Sequence, residues 1–345
     1  MVRVLVADDS ATARALLCEI LRGDREVEVV GEARDGLEAV ELTRLLRPDV
    51  VTMDVQMPGM NGLDATKEIM IECPTPIVVV TGVASEDVAV SMHALRMGAV
   101  CALQKPPGGH GASHVREARQ LVEAVKAMAQ VRVVRHVRRP DARLRLPSVA
   151  VEATVAVRAV AVAASTGGPA ALYQLLTALP ADFPAPILIV QHLSAGFVSG
   201  LAEWLNAAAS LRVKVAEDGE RLSPRTVYLA PDGRHLGASK AATVALSDEP
   251  PRGGFRPAGT FLFESVGRAF GRAAAAVVLT GMGEDGVAGL RSLRAAGGRV
   301  LVQDEKTSVV FGMPGAAVAA GLTDHVLPLG ELAPALVALA NGRRP

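Results

Sequence analysis

The chain has 345 residues, with 36 Lys plus Arg against 36 Asp plus Glu, half of its residues hydrophobic and 21% charged. That length is too great for one ordinary domain and comfortable for two, and the composition excludes disorder over the whole chain. The balanced charge leaves no excess pointing to nucleic acid or a membrane surface. Three cysteines, Cys18, Cys73 and Cys101, form no CxxC pair, which excludes a disulfide framework and a cysteine zinc site and suits a reducing compartment. The opening MVRVLVADDS carries two acidic residues where a signal peptide would be apolar, and no uncharged apolar run is long enough to span a bilayer, so a cytoplasmic protein is expected. Aromatics make up 3%, so the cores must be built from small aliphatic side chains.

Strand and helix alternate from the start. Apolar runs at Val2–Ala7, Val27–Val30, Val50–Met53, Ile77–Val80 and Ala99–Leu103 are separated by helix-compatible segments such as Thr12–Leu21 and Gly36–Leu46. Five strands joined by crossovers predict a parallel sheet covered on both faces, a (βα)5 domain. In the Gly36–Leu46 helix, Leu37, Val40, Leu45 and Leu46 are expected near one face, with Pro48 ending it. Pro106-Pro107-Gly108-Gly109 then punctuates the chain, and Ala112 to Ala129 reads as a helix. Six arginines against one aspartate lie between Val131 and Pro147, a solvated interdomain linker or a basic docking segment. Alternation resumes with strands at Arg158–Ala164, Ile187–Gln191, Val227–Ala230, Ala274–Thr280 and Arg299–Gln303. Helices are expected at Ala170–Ala178, Phe197–Ala208, Phe261–Phe270 and Gly286–Ala295. This predicts a second, doubly wound α/β domain. The division is 1–125, a linker over 126–154, and 155–345.

Asp8 and Asp9 follow the first strand, Asp54 the third, Thr81 ends the fourth and Lys105 the fifth. The carboxyl ends of parallel strands line one crevice, so three carboxylates meet there, and they repel unless a hard cation such as Mg²⁺ joins them. Any one acid alone is an ordinary helix cap; together with MDVQMPGMNGLD and Lys105-Pro106 they resemble the response-regulator receiver domain. The resemblance implies phosphorylation of Asp54 by a histidine kinase. Mg²⁺ would be held by Asp9, Asp54 and the Gln56 carbonyl with help from Asp8, while Lys105 and Thr81 contact the phosphoryl group. Receivers commonly place an aromatic three residues before the lysine; here it is Ala102.

In the second domain, Ala161-Val162-Ala163-Ala164-Ser165-Thr166-Gly167-Gly168-Pro169 is a strand running into a glycine turn and a helix. A nucleophile there stands clear of the sheet, with backbone N–H groups facing any anion beside it. The turn is neither GxGxxG nor GxSxG, so a dinucleotide site and an α/β-hydrolase elbow are unsupported. Read alone, Ser165 is as well a helix cap. His192 follows an apolar strand, His235 is expected in a loop, and Asp285 lies in a glycine loop with Glu284 as the competing carboxylate. His93, His110, His114, His136 and His325 fall in peripheral contexts. Serine, histidine and a carboxylate at three strand ends meet the requirement of nucleophilic acyl transfer.

AASTGGP, QHLSAGF, YLAPDGRHL, FRPAGTFLFESV, TGMGEDGVAGL and QDEKTSVVFGMPGAA resemble the protein-glutamate methylesterases of bacterial chemotaxis, the CheB family. The resemblance implies Ser165 as nucleophile, His192 as base and Asp285 as its orienting partner, with Thr166, Gly167 and Met282 lining the site. The substrate would be glutamyl methyl ester on chemoreceptors, with receptor glutamine as a second one, and the phosphodonor a CheA-type kinase. No cofactor is implied for the esterase, and no nucleic acid or membrane insertion. The receiver would cover the cleft until phosphorylated. Three departures stand out: Ala163 where glycine is usual, expected to crowd the turn; Ser194 where proline is usual; and RPAGT where RPSVD is usual. These are expected to alter substrate contacts and to leave the catalytic three untouched. A non-catalytic adaptor would have no need of that trio, and a DNA-binding output would bring a basic recognition element that only the linker resembles.

Overall fold

The computed structural model describes residues 1–82, 101–109, 112–129 and 155–343. The arginine-rich stretch, His93, His110 and His136, and the side chain of Ala102, lie outside the described residues. No described helix is long and apolar enough to cross a membrane.

The N-terminal unit holds five strands, β1 (Val2–Ala7), β2 (Val27–Ala33), β3 (Val50–Met53), β4 (Ile77–Thr81) and β5 (Cys101–Gln104), in the order β2-β1-β3-β4-β5. Every pairing is parallel, and Val50, Val51, Ile77, Val78 and Val79 are fully buried, as strands covered on both faces must be. Among the described residues the unit also holds helices α1 (Ala11–Arg22), α2 (Gly36–Leu46), α3 (Gly62–Glu72) and α4 (Ala112–Met128). Each of the first three starts at a capping side chain: Ser10 accepts from the Ala13 N–H, Asp35 from Glu38, and Asn61 from Leu63 and Asp64. Such caps satisfy donors that a helix leaves open at its first turn.

One expectation fails here. Helix α2 buries Gly36, Ala39, Val40 and Thr43, and leaves Leu37 56% and Leu45 76% exposed. Small residues win because the Gly36 N–H donates to the Met60 carbonyl at 3.0 Å, drawing that face down onto the chain before α3. The larger leucines then point outward. The helix stops at Arg47, in the left-handed region, just before Pro48.

The C-terminal unit has seven parallel strands: β6 (Ala159–Ala164), β7 (Ile187–Gln191), β8 (Arg212–Val215), β9 (Thr226–Leu229), β12 (Ala274–Val278), β13 (Arg299–Gln303) and β14 (His325–Leu327). Their order is β14-β13-β12-β6-β7-β9-β8. An antiparallel hairpin, β10 (His235–Ala238) with β11 (Val244–Ser247), stands apart from the sheet. The helices are α5 (Gly168–Ala178), α6 (Val198–Ala208), α7 (Gly259–Phe270), α8 (Val287–Ala295), α9 (Gly312–Ala319) and α10 (Leu329–Ala340). The central strands are lined by alanine, with Ala159, Ala161, Ala163, Ala274, Ala275 and Ala276 all fully buried. From β6 the chain builds outward on one side, then returns to place β12 on the other. That reversal opens a crevice at the carboxyl ends of β6 and β12.

Strands β8, β10, β11 and β14 and helices α9 and α10 were not expected from the pattern. The strands run three or four residues each, α9 contains Gly and Pro, and Pro334 interrupts the pattern of α10. His235, expected in a loop, begins β10 and is fully buried.

The small-residue face of α2 makes a contrast that can be measured. Val40→Ala should lower stability by roughly 1–3 kcal/mol, whereas Leu45→Ala should stay within about 0.5 kcal/mol. Urea titration of the two variants checks this; equal losses would mean Leu45 is buried after all.

Candidate functional sites

The first cluster lies at the carboxyl end of the five-stranded sheet. Asp8 and Asp54 follow residues paired across β1 and β3, Ala7 and Met53, and both are buried. Ligand oxygens of Asp8, Asp9 and Asp54 lie within 4.8 Å of one another. Lys105 places its Nζ 2.7 Å from Asp54 Oδ2 and 2.9 Å from Asp8 Oδ2. Asp54 Oδ1 accepts from the Val55 N–H and Asp8 Oδ1 from the Ser10 N–H. Burial pushes the Asp54 carboxyl above its ordinary value; Lys105 pulls it back only in part, and the Asp8 charge adds to the rise. Burial also disfavours the Lys105 ammonium, but the two carboxylates outweigh this and hold its pKa above the usual value. Thr81 is buried at the end of β4, and its carbonyl accepts the Lys105 N–H at 2.8 Å.

Asp8 Oδ2 is buried and makes no hydrogen bond beyond its ion pair. A buried carboxylate oxygen whose one partner is the Lys105 ammonium, set beside two further carboxylates, fits a hard divalent cation, which binds oxygen ligands and offsets their repulsion. The donor set is therefore suited to Mg²⁺.

The second cluster lies at the crevice of the seven-stranded sheet. Ser165 follows β6, donates its N–H to the Thr280 carbonyl at 3.0 Å, and accepts at its own carbonyl from the Gly168 N–H. The cap of α5 is Gly167, at φ 76°, with no side-chain cap bond, so the Ser165 hydroxyl is not spent on capping. Only glycine adopts that conformation cheaply, and a Cβ there would also meet the Val309 side chain at 2.6 Å. Pro169 sits in the first helical turn, where its missing N–H costs nothing.

His192 follows β7 and donates its N–H to the Ala164 carbonyl at 3.0 Å. Because Ala164 pairs with Gln191, the residues after them, Ser165 and His192, stand side by side on adjacent strands. His192 Nε2 lies 2.9 Å from Asp285 Oδ2, while Nδ1 is buried with no partner among the described residues. Asp285 is buried and Glu284 exposed, so Asp285 is the carboxylate that reaches the histidine. Its Oδ2 also accepts from the Gly259 N–H at 2.6 Å and its Oδ1 from the Thr260 N–H at 3.0 Å. Thr260 Oγ1 in turn accepts from the Gly286 N–H at 2.9 Å. Burial works against the Asp285 charge, but the hydrogen bond and charge of His192 and the two backbone donors prevail, holding its carboxyl below the ordinary value.

Two expectations about the departures are thus corrected. The RPAGT segment does touch the proposed catalytic group, since Gly259 and Thr260 supply the donors that hold Asp285. Ala163 does not crowd the turn: its methyl faces Gly259, where a Cβ would come within 2.9 Å of it. The two departures meet, the added methyl at 163 filling the space that a side chain at 259 would need.

Thr166 is half-buried, and its carbonyl accepts from Thr280 Oγ1 at 2.9 Å; Met282 is half-buried two residues beyond Thr280. Among the described residues, neither the Thr166 nor the Met282 N–H has an acceptor. Sequence reasoning missed Gln191, whose Nε2 donates to both the Ser165 carbonyl at 2.8 Å and the His192 carbonyl at 2.9 Å. It missed Gln303 too, whose Oε1 accepts from the Thr280 N–H and whose Nε2 donates to the Thr307 carbonyl. Each is a polar residue ending an apolar buried strand, which was the available signal. Phe255, stacked on His192 with ring centroids 4.1 Å apart and planes 2° from parallel, had no such signal beyond being a rare aromatic.

An acidic cluster with a lysine at the strand ends of one sheet, and a serine, a histidine and an aspartate at those of another, are the arrangement expected of a response regulator whose output is an enzyme. Residues 4–110 match the response regulator receiver domain and residues 160–336 match the CheB methylesterase. The chain belongs to the CheB methylesterase family. It is 53% identical over 345 residues to protein-glutamate methylesterase/protein-glutamine glutaminase 4 of Myxococcus xanthus, covering 99% of this chain and 97% of that one. A similarly named protein 3 of Anaeromyxobacter dehalogenans is 53% identical over 330 residues, covering 95% and 96%. Among solved structures, the Thermotoga maritima CheB methylesterase catalytic domain superposes with a TM-score of 0.52 at 39% identity, covering 54% of this chain and all of that one.

Removing the Asp285 carboxylate should leave the buried Gly259 N–H and the part-buried Thr260 N–H unpaired, and Asp285→Ala should cost roughly 1–3 kcal/mol. Because this carboxyl titrates lower in the folded chain than unfolded, its contribution is full above the ordinary carboxylate range. It is lost as pH falls through the lowered folded value. Urea unfolding of both proteins at neutral and strongly acid pH should show the gap close; a gap independent of pH would refute the charged state.

Proposed function

We propose that residues 155–345 hydrolyse glutamyl methyl esters on chemoreceptors to glutamate and methanol, and deamidate receptor glutamines by the same attack. The relatives' names supply the substrate class. The observation that carries the reading is the 2.9 Å His192–Asp285 bond beside Ser165, with His192 Nδ1 left open.

Ser165 Oγ attacks the ester carbonyl while His192 Nδ1 takes its proton, and Asp285 stabilises the resulting imidazolium. The Thr166 and Met282 N–H groups, with Gly167 shaping the turn, receive the oxyanion. Collapse of the tetrahedral adduct expels methoxide, which takes the proton from His192 and leaves as methanol. Water, deprotonated by His192, then attacks the acyl-serine; the adduct expels the Ser165 oxygen, which takes the proton back from His192, and glutamate leaves. With a glutamine substrate the leaving group is ammonia, and the product is again glutamate.

Residues 1–125 control this activity, with 126–154 as linker. A CheA-type histidine kinase, in the cytoplasm, supplies the phosphoryl group to Asp54. Asp8, Asp9, Asp54 and the Gln56 carbonyl would hold Mg²⁺, which would supply positive charge to offset that of the carboxylates and of a phosphoryl group. Lys105, paired with Asp54 and Asp8, exchanges part of that pairing for the phosphoryl group, and Thr81 approaches from β4.

Methanol release from methyl-esterified chemoreceptor membranes tests both parts. Ser165→Ala should lower turnover by roughly 10³-fold or more while receptor binding persists; unchanged turnover would refute the nucleophile. Mg²⁺ with a small-molecule phosphodonor should raise release in the wild-type chain and leave Asp54→Ala at its basal rate. A response that survives in Asp54→Ala would refute control through that residue.

A further inference from the structure

His235 is fully buried at the start of β10, away from the reacting groups, yet both of its ring nitrogens are engaged. Nδ1 accepts from the Ala258 N–H at 3.3 Å, and Nε2 lies 3.2 Å from the Pro250 carbonyl. A backbone N–H can only donate, so Nδ1 carries no proton. A carbonyl can only accept, so Nε2 carries it. One neutral tautomer satisfies both, and its ring face packs on Phe261 with centroids 4.7 Å apart.

Pro250 and Ala258 are the two ends of a strap that leads into α7. Between them the chain makes a tight reversal, closed by reciprocal backbone bonds between Arg252 and Phe255 at 3.0 and 3.1 Å. Its outer side is braced where Arg252 pairs with Glu249 and Arg256 donates to the Asp248 and Glu249 carbonyls. The strap presents Phe255, 39% exposed, flat against the His192 imidazole. Ala258, at the other end, directly precedes the Gly259 and Thr260 donors that hold Asp285. The histidine pinning the strap therefore bears on His192 twice, through the plate on its ring face and through the carboxylate at its edge.

We propose that His235 is a positioning residue for His192, acting through the strap it pins at Pro250 and Ala258, and that Phe255 is the plate by which the strap holds the imidazole. The proposal rests on the reading of Ser165, His192 and Asp285 given above. An imidazole bonded only at Nε2 can still tilt about that bond. A parallel ring on its face holds Nδ1 in the plane from which it takes the Ser165 proton.

The test uses the full chain and two readouts: kcat and KM for methanol release, and the rate at which a small fluorophosphonate labels Ser165, which needs no receptor recognition. Phe255→Ala should lower both kcat and the labelling rate by roughly 10- to 100-fold, with little change in KM. Phe255→Tyr should restore them and Phe255→Leu should not, because the requirement is for a flat face. His235→Leu should reproduce the Phe255→Ala phenotype. His235→Asn, whose side-chain oxygen can still accept from Ala258, should retain more of the rate.

A raised KM with unchanged labelling in Phe255→Ala would make Phe255 a substrate contact and overturn the proposal. Wild-type rates in His235→Leu would overturn the link through the strap. Should His235→Leu fail to fold, the exposed Phe255 series still decides the plate. Continued methanol release in Ser165→Ala would instead overturn the underlying reading, whatever the Phe255 variants do.

Discussion

The catalytic half of this chain depends on one buried negative charge. A carboxylate out of water is costly unless several donors surround it, and Asp285 is met by the His192 ring and by two N–H groups from the first turn of α7. The helix brings no cap of its own, since Ala258 stands at its N-cap with no side chain to accept. One carboxylate therefore ends the helix and orients the histidine. Ser165 is brought to the same place by strand register and not by a bond to its hydroxyl, because β6 and β7 end on paired residues.

The receiver half solves a related problem in the opposite sense. There, burial pushes the Asp54 carboxyl up, Lys105 pulls it back only in part, and the neighbouring Asp8 charge adds to the rise. The arrangement suits a divalent cation, whose charge would offset that of the three carboxylates. Both halves place chemistry where parallel strands end, one to hold a charge and one to collect charges for a ligand.

Much of this was legible in the sequence because charged or polar residues that directly follow successive apolar strands are carried by a parallel sheet to one shared edge. Asp8, Asp9, Asp54 and Lys105 were found that way, as were His192 and Asp285. Spacing alone left Glu284 and Asp285 as competitors and the resemblance favoured Asp285; burial and the bonds to His192, Gly259 and Thr260 show why that carboxylate reaches the histidine. Leu37 and Leu45 misled because hydrophobicity is not burial: a face of Gly36, Ala39, Val40 and Thr43 packs closer than leucines would allow. Gln191 and Gln303 carry no reactive group, and their value lies wholly in what their amides connect across strands. The meeting of Ala163 and Gly259, nearly a hundred residues apart, is a fact of packing that no local pattern contains.

The alanine lining of β6 and β12 has a consequence for how this site changes over generations of substitution. A core of large aliphatic side chains can trade volume between neighbours, because bulky groups shift and refill one another's space. Alanine has no rotamer to adjust, so an added methyl beneath the crevice must move backbone. The distance between the loops of Ser165 and Asp285 is thereby set by the main chain itself. Drift in this protein should proceed by paired exchanges, one residue growing as its neighbour shrinks, and the methyl at 163 facing the bare position at 259 has the form of one such exchange.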